Sequence, residues 1–406
     1  MPHPYGWGDN QGRDIGALAN GLRQLGKRTD FFVLDERTDI TDPEVQLAGS
    51  RQLSDPAWWQ ARGRGIFLTT FGTSLMQPFY RAARQAGWKV WVRMDCDGVP
   101  GPSGGTAKYI RARIIETVDR NRRHKRDFSG TSSGIVEGFA RGLAGVLLGF
   151  VVERRLGRSY ELVDRLLVET PLACKSFRDH FERTRQNSLS ERLTILPPAI
   201  SERFSCPAGL QKTPTIIAVG QWWRMQKNMR LLVQTMRRSL EQENDMRWII
   251  AGDGTRLVES RFRSKHPDLC RRASFYNHIS PLDLAEQYKT SRIIFFSSLQ
   301  EGFPNTLCEA LCSGALFVGP KNIQAFEHCA KMGWGATYGP GQAEKTLLSE
   351  FRSHAVRDQA SFQAVATDAQ GVFYRHNIAQ LLVDLATGSS ANSGLWIGNQ
   401  PQQGPS

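Results

Sequence analysis

The sequence offers no paired cysteines. Its seven, at positions 96, 174, 206, 270, 308, 312 and 329, are odd in number and scattered, with neither metal-type nor disulfide-type spacing. That excludes a disulfide scaffold and is the thiol usage of a reducing cytosol. Histidines and carboxylates form no cluster of metal-ligand spacing either, so metal-independent chemistry is expected. The opening residues, Met1-Pro2-His3-Pro4-Tyr5, show neither the charged nor the apolar region of an export signal. The longest uncharged apolar run, Gly142–Val152, has 11 residues, against the roughly 20 that a bilayer span needs. Cations crowd residues 108–126, yet no aromatic stands between Ile110 and Asp127. A nucleic-acid surface interleaves stacking rings with its charge, so nucleic acid is not an expected partner.

What is present describes a globular protein of two domains. A chain of 406 residues exceeds what one core usually serves, and 40% hydrophobic with 22% charged residues is ordinary for a water-exposed fold. The net charge of +13 points to anionic partners, and with nucleic acid set aside these are lipid headgroups or phosphorylated substrates. Much of it comes from Lys108–Arg126, which reads either as a solvated face or as a peripheral contact with an anionic membrane, on the cytoplasmic side. The pairs Gly138/Gly142 and Gly145/Gly149, with Glu137 and Arg141 beside them, predict a buried, closely packed helix rather than a membrane dimer.

The most informative stretch is Ser297–Glu309. Ile293-Ile294-Phe295-Phe296 before it reads as a buried parallel strand, and Thr306–Cys312 after it as a short helix stopped by Gly314. Glu301 therefore sits on a strand-to-helix loop, and Glu309 about one turn inside the helix, roughly 5 Å along its axis. Between them the helix N-terminus presents free N–H groups and the positive end of its dipole, a seat for phosphate. Two acids flanking an anion seat suit a ligand with both hydroxyls and phosphates, such as a nucleotide sugar. Around this stretch the chain alternates strand and helix. Thr215–Val219, Trp248–Ala251, Ser274–Tyr276, residues 292–296 and Ala315–Val318 are expected strands of a parallel sheet. Gly220, Gly252–Gly254, His278 and Glu301 all fall at strand carboxyl ends, where such sheets bind ligands.

This string, in the order Ser298, Glu301, Gly302, Phe303, Pro304, Glu309, Ala310, resembles the signature of retaining GT-B glycosyltransferases, in particular glycosyltransferase family 4. The resemblance implies an α/β fold of two Rossmann-like domains facing across a cleft. It also implies retaining transfer from a nucleoside-diphosphate sugar to a glycan, lipid-linked or small-molecule acceptor, with no cofactor beyond that donor. By it Glu301 contacts the transferred sugar and Glu309 the ribose, while the loop from Gly302 through Phe303, Pro304 and Asn305 to Thr306 faces sugar and diphosphate. Gly220–Asn228 resembles the family's diphosphate loop: Lys227-Asn228 matches, but Gln221 replaces an arginine and the loop is one residue longer, leaving Arg224 to reach the phosphates. Gly252 and Asp253 fall on the family's strand-to-glycine turn, and His278 near its base contact. A nucleotide-sugar epimerase and a catalytically silent GT-B binding protein are the two alternatives, the second favoured by Gln221.

The first half matches less closely. Gly6–Gly12 with Ile15–Gly26 resembles the family's glycine-rich loop and first helix, but the strand that should come first is absent, as in a truncated chain with an incomplete N-terminal sheet. Thr29–Leu34, Gly65–Phe71 and Trp88–Arg93 read as strands. After the last of these, Asp97, with Asp95 close by, is the candidate to face the sugar; an Asp-Gly pair at 97–98 is also simply a turn. Pro198-Ala199 replaces the family's Asn-Gly before the linker. The expected division is residues 1–197 for acceptor binding, 198–376 for the nucleotide sugar, a helix at 377–386 crossing back, and a disordered tail at 387–406.

Overall fold

The computed structural model describes residues 14–33, 45–69, 76–94, 106–122, 131–148, 157–158, 160–355 and 359–388. In the first half, helix α1 (Asp14–Gln24) precedes two short parallel strands, β1 (Phe31–Val33) and β2 (Val45–Leu47). A second parallel sheet has the order β3 (Ile66–Thr69), β4 (Lys89–Met94), β5 (Arg165–Val168), β6 (Leu193–Ile195). Among the described residues, which begin with α1, the two sheets are separate. The glycine-rich loop at 6–12, and with it the expectation that the first strand of this sheet is missing, lies outside the described residues.

Between β4 and β5 the chain makes a helical hairpin of α2 (Thr106–Arg122) and α3 (Thr131–Leu147). Glycines let the two backbones approach: a Cβ on Gly138 would lie 2.6 Å from the Ile114 Cα, and one on Gly142 3.0 Å from the Ile110 Cα. The close packing read from the glycine pairs is present, but the helix as a whole is not buried. Only Gly134, Gly138 and Gly142 are buried along α3, and its large apolar side chains face outward. The reason is geometric: a single helix, α2, lies against the glycine face, and hydrophobicity alone does not say which face of an apolar helix finds a neighbour.

The second half is one six-stranded parallel sheet of order β12-β11-β10-β7-β8-β9. Its strands are β7 (Thr213–Val219), β8 (Arg247–Ala251), β9 (Ala273–Tyr276), β10 (Ser291–Phe295), β11 (Leu316–Pro320) and β12 (Gly335–Tyr338). Their near-continuous apolar runs are what a sheet covered on both faces requires. Helix α4 (Met229–Gln242) packs Leu232, Val233, Met236 and Leu240 on one face, and α5 (Asn305–Cys312) buries Leu307, Cys308 and Leu311 on the other. The chain runs outward from β7 to β9, then returns beside β7 as β10. The carboxyl ends of β7 and β10 therefore form the topological switch point at which such sheets hold ligands.

Helix α6 (Gln359–Phe373) leads to α7 (Arg375–Thr387), which crosses to the first half. There Ile378, Ala379 and Leu382 pack with Ala17, Leu18, Trp91 and Leu167. The two crossings run side by side, with the Ile200 N–H donating to the Phe373 carbonyl (2.8 Å) and the Arg375 N–H to the Ile200 carbonyl (2.9 Å).

Lys212, just before β7, is buried; its Nζ donates to the carbonyls of Ser313 (2.7 Å) and Tyr288 (3.3 Å). Burial lowers its pKa from 10.5 to about 7. In the window between those values the unfolded chain binds more protons than the folded one, so stability rises with pH. From about pH 7 to pH 8, below the usual cysteine range, the gain expected from this group is about 1 kcal/mol. Urea unfolding at both pH values should show that gain in the wild type and a smaller one in Lys212→Met.

Candidate functional site

Two loops meet at the switch point. The first leaves β7 at Gly220 and is fastened to the end of β8 by two tryptophans. The Trp222 indole N–H donates to the Ala251 carbonyl (3.0 Å), and the Trp223 indole N–H to the Asp253 carboxylate (3.0 Å). Gly252 has φ +107°, and a Cβ there would lie 2.2 Å from the Gly220 carbonyl oxygen, so only glycine lets the turns close together. Asp253 and Gly252 are thus engaged in holding the loop. Their positions on a strand-to-glycine turn match the sequence reading, with a packing role now visible. The loop ends in a single 3-10 turn, Met225–Lys227, and Asn228 in the left-handed region (φ 47°), whose side chain caps α4.

The second loop leaves β10 and carries Ser297–Pro304. The Ser297 hydroxyl donates to the Lys227 carbonyl (2.6 Å), and the Leu299 N–H to the Gln226 carbonyl (2.8 Å). Gln226 Nε2 donates to the Gln300 carbonyl (2.7 Å) and to Glu301 Oε2 (3.1 Å). Glu301 Oε1 takes Lys227 Nζ at 2.5 Å and the Ser298 hydroxyl at 2.6 Å. The Lys227 and Glu301 side chains are only 14% and 9% exposed. Lys227 is therefore not a solvated lysine, and Glu301 not a solvated loop acid. A pair this far out of water needs further hydrogen bonds to offset its desolvation, and Ser298 and Gln226 supply them.

Helix α5 starts at Asn305, with Pro304 as its N-cap residue. Proline has no N–H, and the Phe303 N–H donates to Glu169 Oε2 (3.0 Å), so neither amide faces a ligand. The Phe303 ring is buried against Phe373. Among the described residues the N–H groups of Gly302, Asn305 and Thr306 donate to no protein acceptor, and these three remain for an anion. Glu309 is fully buried inside α5. His278 is exposed, its ring 3.0 Å from the Asn277 amide nitrogen. Arg224 lies with its guanidinium 5.1 Å from the Trp223 ring centre, beside Asp119 of α2. Asp97 and Asp95 lie outside the described residues.

Sequence reasoning missed the contribution of the first half. Arg93 of β4 and Glu169, just past β5, are buried and paired at 3.2 Å, and the second Glu169 oxygen is the one that takes the Phe303 N–H. Asp119 accepts from the Met225 N–H (2.7 Å), and Arg122 donates to the Trp223 carbonyl (3.2 Å). Burial raises the Asp119 pKa, against the opposing pull of the Met225 N–H and of Arg224 and Arg122. One signal was legible: an arginine inside the apolar strand Val90-Trp91-Val92-Arg93 must find a buried partner. Removing that carboxylate should be costly. Glu169→Ala is expected to destabilise the protein by about 3–5 kcal/mol, measured by urea unfolding, whereas a surface substitution such as Glu241→Ala should change it by less than about 0.5 kcal/mol.

Residues 213–344 match the model of the family Glycosyl transferases group 1. No curated protein matches the chain in sequence. Solved structures resemble it in fold. The HepE protein of Anabaena in complex with UDP and glucose aligns with TM-score 0.61 at 10% identity, over 92% of this chain and 95% of that one. A trehalose-6-phosphate synthase, studied for glycosyltransfer with retention, aligns with TM-score 0.59 at 12% identity, over 93% and 98%. A chain of the GtfA/B complex aligns with TM-score 0.57 at 12% identity over 82% of this chain, which spans 59% of its length. The chain has the GT-B fold seen in these structures, and the segment that matches the glycosyl transferases group 1 model, residues 213–344, holds the paired Lys227 and Glu301.

Proposed function

We propose that this protein is a retaining glycosyltransferase that uses a nucleoside-diphosphate sugar. The observation that carries the reading is the Lys227–Glu301 contact across the switch point, beside the N-terminus of α5. A carboxylate has about four lone-pair positions. Lys227 and Ser298 take Oε1, and Gln226 takes one position on Oε2, which leaves Oε2 able to accept a sugar hydroxyl. An ammonium has three donors; with one on Glu301, Lys227 keeps others for a diphosphate. Sugar and diphosphate would then lie on either side of one ion pair, the arrangement needed at the bond between them.

In this mechanism the bond from the anomeric carbon to the diphosphate oxygen breaks, and the charge on the leaving group meets Lys227 and the amides of Asn305 and Thr306. The acceptor hydroxyl attacks from the same face and passes its proton to the departing phosphate oxygen, so the configuration is retained. Glu301 orients the sugar, while Glu309, buried within α5, is the acid that the sequence resemblance assigns to the nucleotide end. The HepE structure with UDP and glucose, and the trehalose-6-phosphate synthase with its retained configuration, support donor class and stereochemistry alike.

The test is NMR of the protein with UDP-, GDP- and ADP-sugars, read for binding and slow turnover. Saturable binding of one donor is expected, with hydrolysis or transfer that keeps the anomeric configuration and falls about 100-fold or more in Glu301→Ala. Conversion of the donor sugar without release of the nucleotide would mark an epimerase. Absence of binding across the panel would overturn the reading in favour of a silent binding protein.

A further inference from the structure

Helix α3 is built inside out. Val136, Phe139, Leu143 and Leu147 fall within about 80° of one another around its axis, opposite the glycines that face α2. They are 71%, 51%, 43% and 77% exposed. Ile135 on the same helix and Leu148 just past its end are exposed as well, so six of the nine exposed large hydrophobic side chains found among the described residues belong to this one segment. Scattered singly, exposed apolar residues need no explanation; a continuous stripe roughly 16 Å long does.

We infer that α3 rests on an anionic lipid surface, its Val136–Leu147 stripe among the acyl chains and the arginines of the hairpin at the headgroup phosphates. Charge selects this occupant. Residues 106–148 hold nine lysines and arginines against four acids. Arg111, Arg120 and Arg141 of the hairpin are exposed. Their contacts are a 3.4 Å bond from Arg111 to the Leu299 carbonyl and surface pairs of Arg120 and Arg141 with Glu137 (2.6 and 3.6 Å). Such pairs bind weakly in water and leave donors for phosphate. A second copy of this chain would instead bring two cationic hairpins, each on a molecule of net charge +13, face to face. Among the described residues no helix is long and apolar enough to cross a membrane; α3 has the dimensions of a helix that lies in the interface.

The stripe does not end at the surface. Phe139 also lines a groove of about 420 Å³, with Ile110, Ile114, Met225 and Leu299, and Leu299 stands two residues before Glu301. A molecule held in the leaflet facing the protein would meet this groove beside the loops that carry Lys227 and Glu301. The surface contact itself is independent of the transferase reading, and so is its test.

Flotation with phosphatidylcholine vesicles, with and without phosphatidylglycerol, measures it directly. The expected result is binding to the anionic vesicles only, weakened by salt, and lowered about tenfold in Leu143→Glu/Leu147→Glu. Both side chains point to water, so circular dichroism should be unchanged; Leu147→Ser, a milder change at the most exposed position, should give an intermediate loss. Failure of the wild type to bind anionic vesicles, or equal binding by the variants, would overturn the inference. So would a wild-type dimer in light scattering that the glutamates dissociate, which would assign the stripe to a second copy. None of these readings involves transfer, so they leave the donor site to its own test.

Discussion

An ammonium and a carboxylate 2.5 Å apart, both nearly out of water, set the terms for the rest of the cleft. Such a pair persists only where its remaining hydrogen-bonding capacity is met, because desolvation otherwise outweighs the attraction. Here Ser298 and Gln226 each donate to the carboxylate, and Ser297 and Leu299 bond to the main chain of the opposite loop. The loops themselves come from β7 and β10, adjacent strands of a sheet whose order reverses between them. The topology delivers the two loops side by side, and the ion pair fixes their register.

A second buried carboxylate ties this arrangement to the first half. Glu169 spends one oxygen on Arg93 and the other on the Phe303 N–H. Any shift of the β10 loop would therefore strain a bond to the opposite sheet as well as those to Lys227. Asp119 and Arg122 act alike on the β7 loop through Met225 and Trp223. The consequence for function is a preorganised site: the groups that would meet a leaving diphosphate are held by packing and hydrogen bonds before anything binds.

The sequence was informative where local pattern and long-range structure agree. Buried parallel strands must read as apolar runs, so the second half was legible nearly strand by strand, and the Ser298–Ala310 string announced its loop and helix. That Lys227 and Glu301 touch was not legible, because it depends on β10 returning beside β7, a fact of strand order that no local pattern encodes. Nor was the Glu169 bond to Phe303, which joins residues 134 positions apart. The amides of the 302–306 loop looked equivalent on paper; Pro304 has none to give and Phe303 has already given its own. In the first half, three-residue strands carry too few side chains to show a period. The apolar run of α3 read as a buried helix because hydrophobicity does not reveal which face will find a neighbour.

The central claim is that Lys227 holds the diphosphate of a nucleotide at this switch point. Calorimetric titration of UDP, GDP and ADP into the wild type, Lys227→Arg and Lys227→Met tests it most directly. The account predicts that one nucleotide binds the wild type, with affinity partly kept by the arginine and reduced about 10- to 100-fold by the methionine, the loss of one charge-assisted contact. Equal affinity in wild type and Lys227→Met, or no binding of any diphosphate to the wild type, would contradict it.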